Sequence, residues 1–332
     1  MSQSGGVSAT TPASPSGSVG AGRVLSIDRF RGTLVLLMVV GNYLAGIVSV
    51  PPPLKHAPDV GLTIIDVGAP CFVFAMGLSY GESFRRRAVS GLPGAYRHFV
   101  LRYLALIGIG AILAAGGTQV ADQPASWGVL QALGAAGLIT LPFIRLNMVW
   151  RFGIGAGLLI GYQLLLGSIP LAVVRGVVQG GLIGALSWGG LLILTTAVAD
   201  AWRRGIPALV WCCGTITVVA LLSAVIVPVS KTRVSLSYML LTLAIAAIGF
   251  LIFDLLSRVL PPRAGYLAWW GENALLLYLL HLILLGLVTL PAVRWWYVDA
   301  SVWLMALQLA AILGLLSWVA WWLHRSGQII RL

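Results

Sequence analysis

"LVLLMVVGNYLAG", Leu34–Gly46, is apolar throughout except for one amide, Asn42. It lies inside an apolar run, 32–50, long enough to cross a hydrocarbon core of about 30 Å. Nine similar runs follow, at 62–82, 98–116, 126–143, 152–168, 181–200, 205–227, 236–257, 267–290 and 301–323. The 332-residue chain is 59% hydrophobic and 9% charged, with a mean hydropathy of +0.97. A soluble domain carries about a quarter charged residues. The expected fold is therefore all-α, a polytopic integral membrane protein with about ten transmembrane helices embedded in a lipid bilayer.

The formal net charge of +12 fits this reading better than nucleic-acid binding. The basic residues sit in short turns beside apolar runs, with no basic arm and no aromatic–basic repeat. With the N-terminus placed in the cytoplasm, sixteen of the 21 Lys and Arg fall on the inner side and five on the outer side. The positive-inside rule then puts both termini in the cytoplasm, in an inner (plasma) membrane of bacterial type. Residues 1–22, rich in Ser, Gly, Ala, Pro and Thr, are expected to form a disordered cytoplasmic tail. They lack the basic and apolar regions of a signal peptide. Residues 23–332 are expected to be one transmembrane domain. Cys71, Cys212 and Cys213 have no metal-ligand spacing and read as small buried hydrophobes, so no metal is expected.

Against this apolar background the polar residues stand out. Asn42 lies roughly 12–15 Å from either end of its run, where an amide needs a partner. It is either an interhelical anchor or a group facing a polar cavity. After three prolines, the turn "LKHAPDVGLTIID" brings Lys55, His56, Asp59 and Asp66 to the mouth of the second run. Histidine can accept a proton at neutral pH, and a carboxylate on its far ring nitrogen fixes the tautomer. His56 with Asp66 thus fits a general base and its orienting partner, although a loop histidine and a first-turn aspartate also have ordinary structural uses. Lys231 and Arg233 cluster on the expected outer side and could hold an anionic acceptor, or be plain loop charge. In the ninth run Asn273, Tyr278 and His281 are expected on one helix, with Asn273 and His281 sharing a face. At the inner mouth, Asp28 stands beside Arg29 and Arg31, and Arg85–Arg87 lie opposite. The arginines suit a phosphate-rich ligand as well as membrane anchoring. No Walker A, HExxH or GxSxG pattern is present.

"SIDRFRGTLVLLMVVGNY" followed by "KHAPDVGLTIIDVGAPCFVFAMGLS" resembles the catalytic region of the heparan-α-glucosaminide N-acetyltransferase family, a group of transmembrane acyltransferases. The matching positions are Asp28, Phe30, Arg31, Gly32, Asn42, Tyr43, Lys55, His56, Ala57, Gly61, Leu62, Thr63, Asp66, Pro70, Phe72, Phe74, Met76, Gly77 and Ser79. "VLQALG" with Gln131, "SKTRVSLSY" with Lys231, and "GENALLLYLLH" with Asn273, Tyr278 and His281 extend the resemblance over roughly residues 23–290. The family's Trp-Asn before the glycine is Asp59–Val60 here, and the Asn–His interval is longer.

The resemblance implies transfer of an acetyl group from cytoplasmic acetyl-CoA to an amino sugar or other glycan acceptor outside. His56 would be the catalytic histidine, as general base or acyl carrier, with Asn42 and Asp66 beside it. Asp28, Arg29, Arg31 and Gln131 would hold the donor. Lys55, Lys231, Arg233, Asn273, Tyr278 and His281 would hold the acceptor. N- and O-acylation both remain open, as do direct transfer and an acetyl-histidine route. Two rivals stand beside this reading. One is a proton-coupled transporter using His56 and Asp66 as a relay; the other is a non-catalytic protein that keeps the fold. The 40 glycines would allow a homodimer through small-residue faces, or ordinary helix packing.

Overall fold

The computed structural model describes residues 24–121, 127–170, 173–174, 176–260 and 265–330. The tail expected to be disordered, 1–22, lies outside the described residues, as do Arg23, Arg175, Arg263 and Arg331 of the charge count. Among the described residues there are eleven α-helices, short 3-10 turns and no strand. They are α1 (Leu25–Ala45), α2 (Gly68–Ala88), α3 (Leu92–Ala121), α4 (Val129–Thr140), α5 (Met148–Leu166), α6 (Gly181–Arg203), α7 (Ile206–Ile226), α8 (Leu236–Val259), α9 (Tyr266–Glu272), α10 (Ala274–Thr289) and α11 (Val302–Arg325).

Each of the ten apolar runs carries a helix, and the ninth is broken into α9 and α10. Six helices (α3, α5, α6, α7, α8 and α11) are long and apolar enough to cross a membrane alone. The α9–α10 pair, bent by 88°, makes a seventh if counted as one span. The other three runs differ for physical reasons. α1 and α2 have 21 residues each, about 31 Å at 1.5 Å per residue, but carry charges at one end: Asp28, Arg29 and Arg31 on α1, Glu82 and Arg85–Arg87 on α2. α4 has 12 residues before a 3-10 turn at Leu141–Phe143.

Local chemistry sets several boundaries. Asn147, Ser235 and Ser301 cap α5, α8 and α11, each accepting from the backbone N–H three residues on. Pro207 occupies the first turn of α7, where its missing N–H is not needed. The prolines at 51–53 stiffen the return after α1 and start a 3-10 turn, Pro52–Leu54.

α6 lies at the centre. In its apolar window 83% of residues are buried, against 17–22% in α3, α5, α7 and α11, whose apolar surfaces are left for lipid. α1 divides two apolar cores. Phe30, Leu34 and Met38 face the core built with α2, α3, α4, α6 and α8. Val35, Val39 and Tyr43 face a second core built with α9, α10 and α11. Both sets follow the i, i+4, i+8 spacing of one helical face.

The α1–α9 crossing is a backbone contact. A Cβ on Gly32 would lie 1.9 Å from the Leu267 carbonyl oxygen, and one on Gly271 1.8 Å from that of Asp28. Glycine at both positions is what permits this approach.

Candidate functional site

The connection between α1 and α2 is built around Asp66. This side chain is buried and accepts through both oxygens. Oδ2 accepts from the Ala57 and Thr63 backbone N–H groups, both at 3.1 Å, and from the Thr63 hydroxyl at 2.9 Å. Oδ1 accepts from His56 Nδ1 at 2.8 Å. The Tyr238 hydroxyl holds the Asp66 carbonyl at 2.8 Å, and the Gly61 N–H donates to the Val229 carbonyl at 2.8 Å. The loop is thereby tied to the α7–α8 connection. Burial works to raise the Asp66 pKa, but the bonds from His56, Ala57 and Thr63 and the Lys231 charge hold it well below the usual carboxylate range.

His56 is 37% exposed at its side chain while Asp66 is sealed. With the Nδ1 proton given to Asp66, the Nε2 lone pair is left as acceptor. Lys231 Nζ stands 3.3 Å from Nε2, 2.8 Å from Nδ1 and 3.3 Å from Asp66 Oδ1. Burial lowers the Lys231 pKa from its ordinary value, and Asp66 opposes that shift. Two residues further on, Arg233 grips Asp59 at 3.0 and 2.5 Å, and Ser230 donates to Asp59 at 2.9 Å. Lys55 turns back to the Val48 carbonyl at 3.0 Å.

A second polar pair adjoins this loop. Asn42 Nδ2 lies 2.9 Å from His281 Nε2. The contact makes that imidazole nitrogen the acceptor and leaves the second Asn42 N–H for another group. Its neighbour Gly41 packs on Ile65, where a Cβ would come within 2.8 Å, so α1 closes on the turn that carries Asp66. His281 is buried, with the Tyr278 ring 4.8 Å away and the Phe72 ring stacked on Tyr278 at 6.3 Å.

At the opposite ends of these helices lies a cavity of about 800 Å³. Among the described residues, seven arginines line it: Arg31, Arg86, Arg87, Arg102, Arg203, Arg204 and Arg258. The acids in its wall are Asp28, Glu82 and Glu272, so positive charge is in excess. Arg31 is fixed by bonds to Ser79 at 2.5 Å and the Ala75 carbonyl at 3.2 Å. Arg203 is held by Asp200 and the Leu78 carbonyl, and Arg258 by Asp254. The C-terminal segment closes one side: the Asn273 side chain donates to the Gln328 carbonyl and accepts from the Ile330 N–H, and Ile329 and Ile330 line the wall.

The residues singled out in the sequence therefore fall into distinct places. His56, Asp66 and Lys231 form one cluster, and Asn42, His281 and Tyr278 another beside it. Asp28 and Arg31 line the cavity, whereas Arg29 donates to Ser257 and stands outside its wall. Gln131 accepts from the Gly128 N–H and caps the start of α4. Asn273 sits at the break between α9 and α10, with φ −121° and ψ 38°, so it does not share a helix face with His281. Arg102, Arg203, Arg204 and Arg258 are among the basic residues that the charge count puts on the inner side. Their convergence on one cavity comes from three helices, α3, α6 and α8, and has no local signature.

Comparison with known proteins gives a family. The model of the heparan-alpha-glucosaminide N-acetyltransferase catalytic region matches residues 23–283. The heparan-alpha-glucosaminide N-acetyltransferase of Mus musculus is 37% identical over 123 residues, 34% of this chain and 18% of that protein. The Homo sapiens protein of the same name is 36% identical over 125 residues, 34% of this chain and 17% of that protein. The matched stretch thus spans less than a fifth of either relative. The chain belongs to the heparan-alpha-glucosaminide N-acetyltransferase catalytic-region family of multi-pass membrane acyltransferases.

Proposed function

We propose that this chain moves an acetyl group from acetyl-CoA, held in the arginine-lined cavity, to an amine at His56 on the opposite face, an amino sugar being the natural acceptor class. One observation carries the reading. The cationic cavity and the His56–Asp66 cluster lie at opposite ends of α2, and Phe72, Tyr278, His281 and Asn42 form a line of contacts from the cavity to α1, whose Gly41 packs on Ile65 next to Asp66. Such a layout suits a polyanionic donor entering from one side and a nucleophile from the other. The excess of basic residues around the cavity supports a cytoplasmic assignment of that side, in line with the positive-inside rule.

In direct transfer the acceptor nitrogen attacks the thioester carbonyl and its proton passes to His56 Nε2. Asp66 stabilises the resulting imidazolium through Nδ1. The second N–H of Asn42 donates to the oxyanion. The C–S bond then breaks, and the departing thiolate takes the proton from His56. The other route places the acetyl group on His56 first and releases it to the amine in a second step.

The test uses purified protein in nanodiscs with radiolabelled acetyl-CoA, wild type against His56→Ala, following CoA release and label transfer to a panel of amino sugars. Loss of transfer in the variant, with acetyl-CoA still bound, is the expected outcome. Label retained on wild-type protein without acceptor marks the acyl-histidine route. Folded wild type that neither binds nor consumes acetyl-CoA overturns the proposal. The broken α9–α10 span would then favour the transporter reading, tested by proton-coupled uptake in vesicles.

A further inference from the structure

The cavity follows one face of α2. Phe72, Met76, Ser79, Ser83 and Arg87 line it at intervals of four, three, four and four. Fifteen residues at 1.5 Å give roughly 22 Å from Arg87 to Phe72, and Arg31 stands between them on Ser79 and the Ala75 carbonyl. The wall contributed by α1 ends at Arg31, eleven residues before Asn42, and that of α10 ends at Leu275. The far tip is thus apolar, made of Phe72, Met76 and Leu275, with Arg31 about one turn of α2 from it and Arg86 and Arg87 at the opposite end. Beyond the tip the order of contacts is fixed. The Phe72 ring stacks on Tyr278 with 28° between planes, Tyr278 leans on His281, and His281 holds Asn42. Tyr278 is buried and lies behind Phe72, which is only partly buried and faces the cavity.

We infer that Phe72, backed by Tyr278, is a specificity-determining stop that sets the acyl length of the donor. The inference rests on the acyl-CoA reading above and adds a substrate limit to it. A donor anchored at the arginines meets Phe72 last. A two-carbon acyl group needs the least room beside the ring to come within reach of Asn42. Each added methylene must displace Phe72 from Tyr278, which costs the stack and the surface it buries. Shortening the side chain removes the obstacle and leaves the arginine end unchanged. Tyr278 acts by limiting the positions Phe72 can take, so trimming it should relax the limit less than trimming Phe72.

The experiment compares wild type, Phe72→Leu and Phe72→Ala in nanodiscs with acetyl-, butyryl-, hexanoyl- and octanoyl-CoA. Binding is read by competition against radiolabelled CoA, and turnover by CoA release with glucosamine as acceptor. Wild type is expected to favour acetyl-CoA. The hexanoyl-to-acetyl ratio of kcat/KM should rise at least tenfold in Phe72→Ala and by a smaller factor in Phe72→Leu, with CoA itself bound equally by all three. If Phe72→Ala does not fold, Phe72→Leu decides. Wild type that uses hexanoyl-CoA as well as acetyl-CoA sinks the inference, and so does a folded variant whose ratio stays at the wild-type value. Failure of the acyltransferase reading looks different: no acyl-CoA is consumed by any form. The stop would then still be visible in binding, as long acyl-CoAs gaining affinity on trimming Phe72, and equal gains for CoA and acyl-CoA would refute it.

Discussion

At the scale of single residues, Asp66 has two tasks that one substitution separates. It orients His56, and it knots the loop through Ala57 and Thr63. Asp66→Asn keeps the size but not the charge, and an amide nitrogen facing Nδ1 would favour the wrong imidazole tautomer. The expected result is a kcat lower by about 10²–10⁴, the usual worth of a positioned general base, with the KM for acetyl-CoA little changed. Stability carries a second signature. The folded pKa of Asp66 lies below its unfolded value of 3.8, so its contribution is full above that pH and disappears as pH falls through the folded value. Thermal unfolding of wild type and Asp66→Asn should therefore differ most above pH 4, and the curves should converge in stronger acid. Divergence on acidification would refute this account of Asp66. Asn42 and His281 make a similar test. Asn42→Ala should lower kcat by about 10²–10³, as for a lost oxyanion donor, while acetyl-CoA still binds. His281→Ala should lower kcat less, and His281→Gln should recover part of that loss, because a glutamine oxygen can accept the same Asn42 N–H. If His281→Gln is no better than His281→Ala, then Asn42 is not positioned through this bond.

At the scale of elements, the apolar runs were legible because span length and hydropathy are local properties. The bend at Asn273 was not. "WWGENALLLYLLH" reads as one continuous run, and its break arises from distant partners. α9 is drawn onto α1 at Gly271 and Gly32, and the Asn273 side chain is taken by the backbone of residues 328 and 330. The same limit applies to the site. His56 and Asp66, ten residues apart, could be paired from a constrained loop, but the His281 contact to Asn42 spans 239 residues and follows only from packing. The α1–α9 crossing gives its own prediction. Gly271→Ala places a methyl group 1.8 Å from a main-chain oxygen, which no side-chain rotation relieves. Overpacking costs about 1–3 kcal/mol when neighbours can adjust, and more is expected here. The yield of monodisperse protein on fluorescence-detected size exclusion should collapse. Gly286→Ala, where nothing lies within 4 Å of the added carbon, should leave it unchanged. Equal yields for the two variants would mean that the crossing is loose.

At the scale of the whole molecule, the two faces differ in how their charges are matched. Around the cavity seven arginines meet three acids in the wall; Arg31, Arg86, Arg203 and Arg258 pair with Asp28, Glu82, Asp200 and Asp254, and cations stay in excess, as the proposed polyanionic donor requires. Around His56 three cations face carboxylates, Lys231 with Asp66, Arg233 with Asp59, and Arg294, on the same face, with Asp299, while Lys55 is turned back onto the Val48 carbonyl. Lys231 and Arg233 looked in the sequence like holders of an anionic glycan, because their partners are remote in the chain. Asp59 stands where the family pattern has another residue, and it is the acid that occupies Arg233. A sulfate or phosphate on the acceptor would have to displace these carboxylates, and a carboxylate left behind would repel it. The expected acceptor is therefore uncharged apart from its amine. Glucosamine should exceed glucosamine 6-phosphate and 6-sulfate in kcat/KM by tenfold or more at low ionic strength. Asp59→Asn releases Arg233 and should narrow that gap by raising the anionic acceptors, with glucosamine little affected. The shift should shrink as salt is raised, since partly exposed charges are screened within about 10 Å at 0.1 M. A wild-type preference for the anionic sugars, or an Asp59→Asn variant that treats both classes as before, would show that these pairs open on binding and that the face does accept anions.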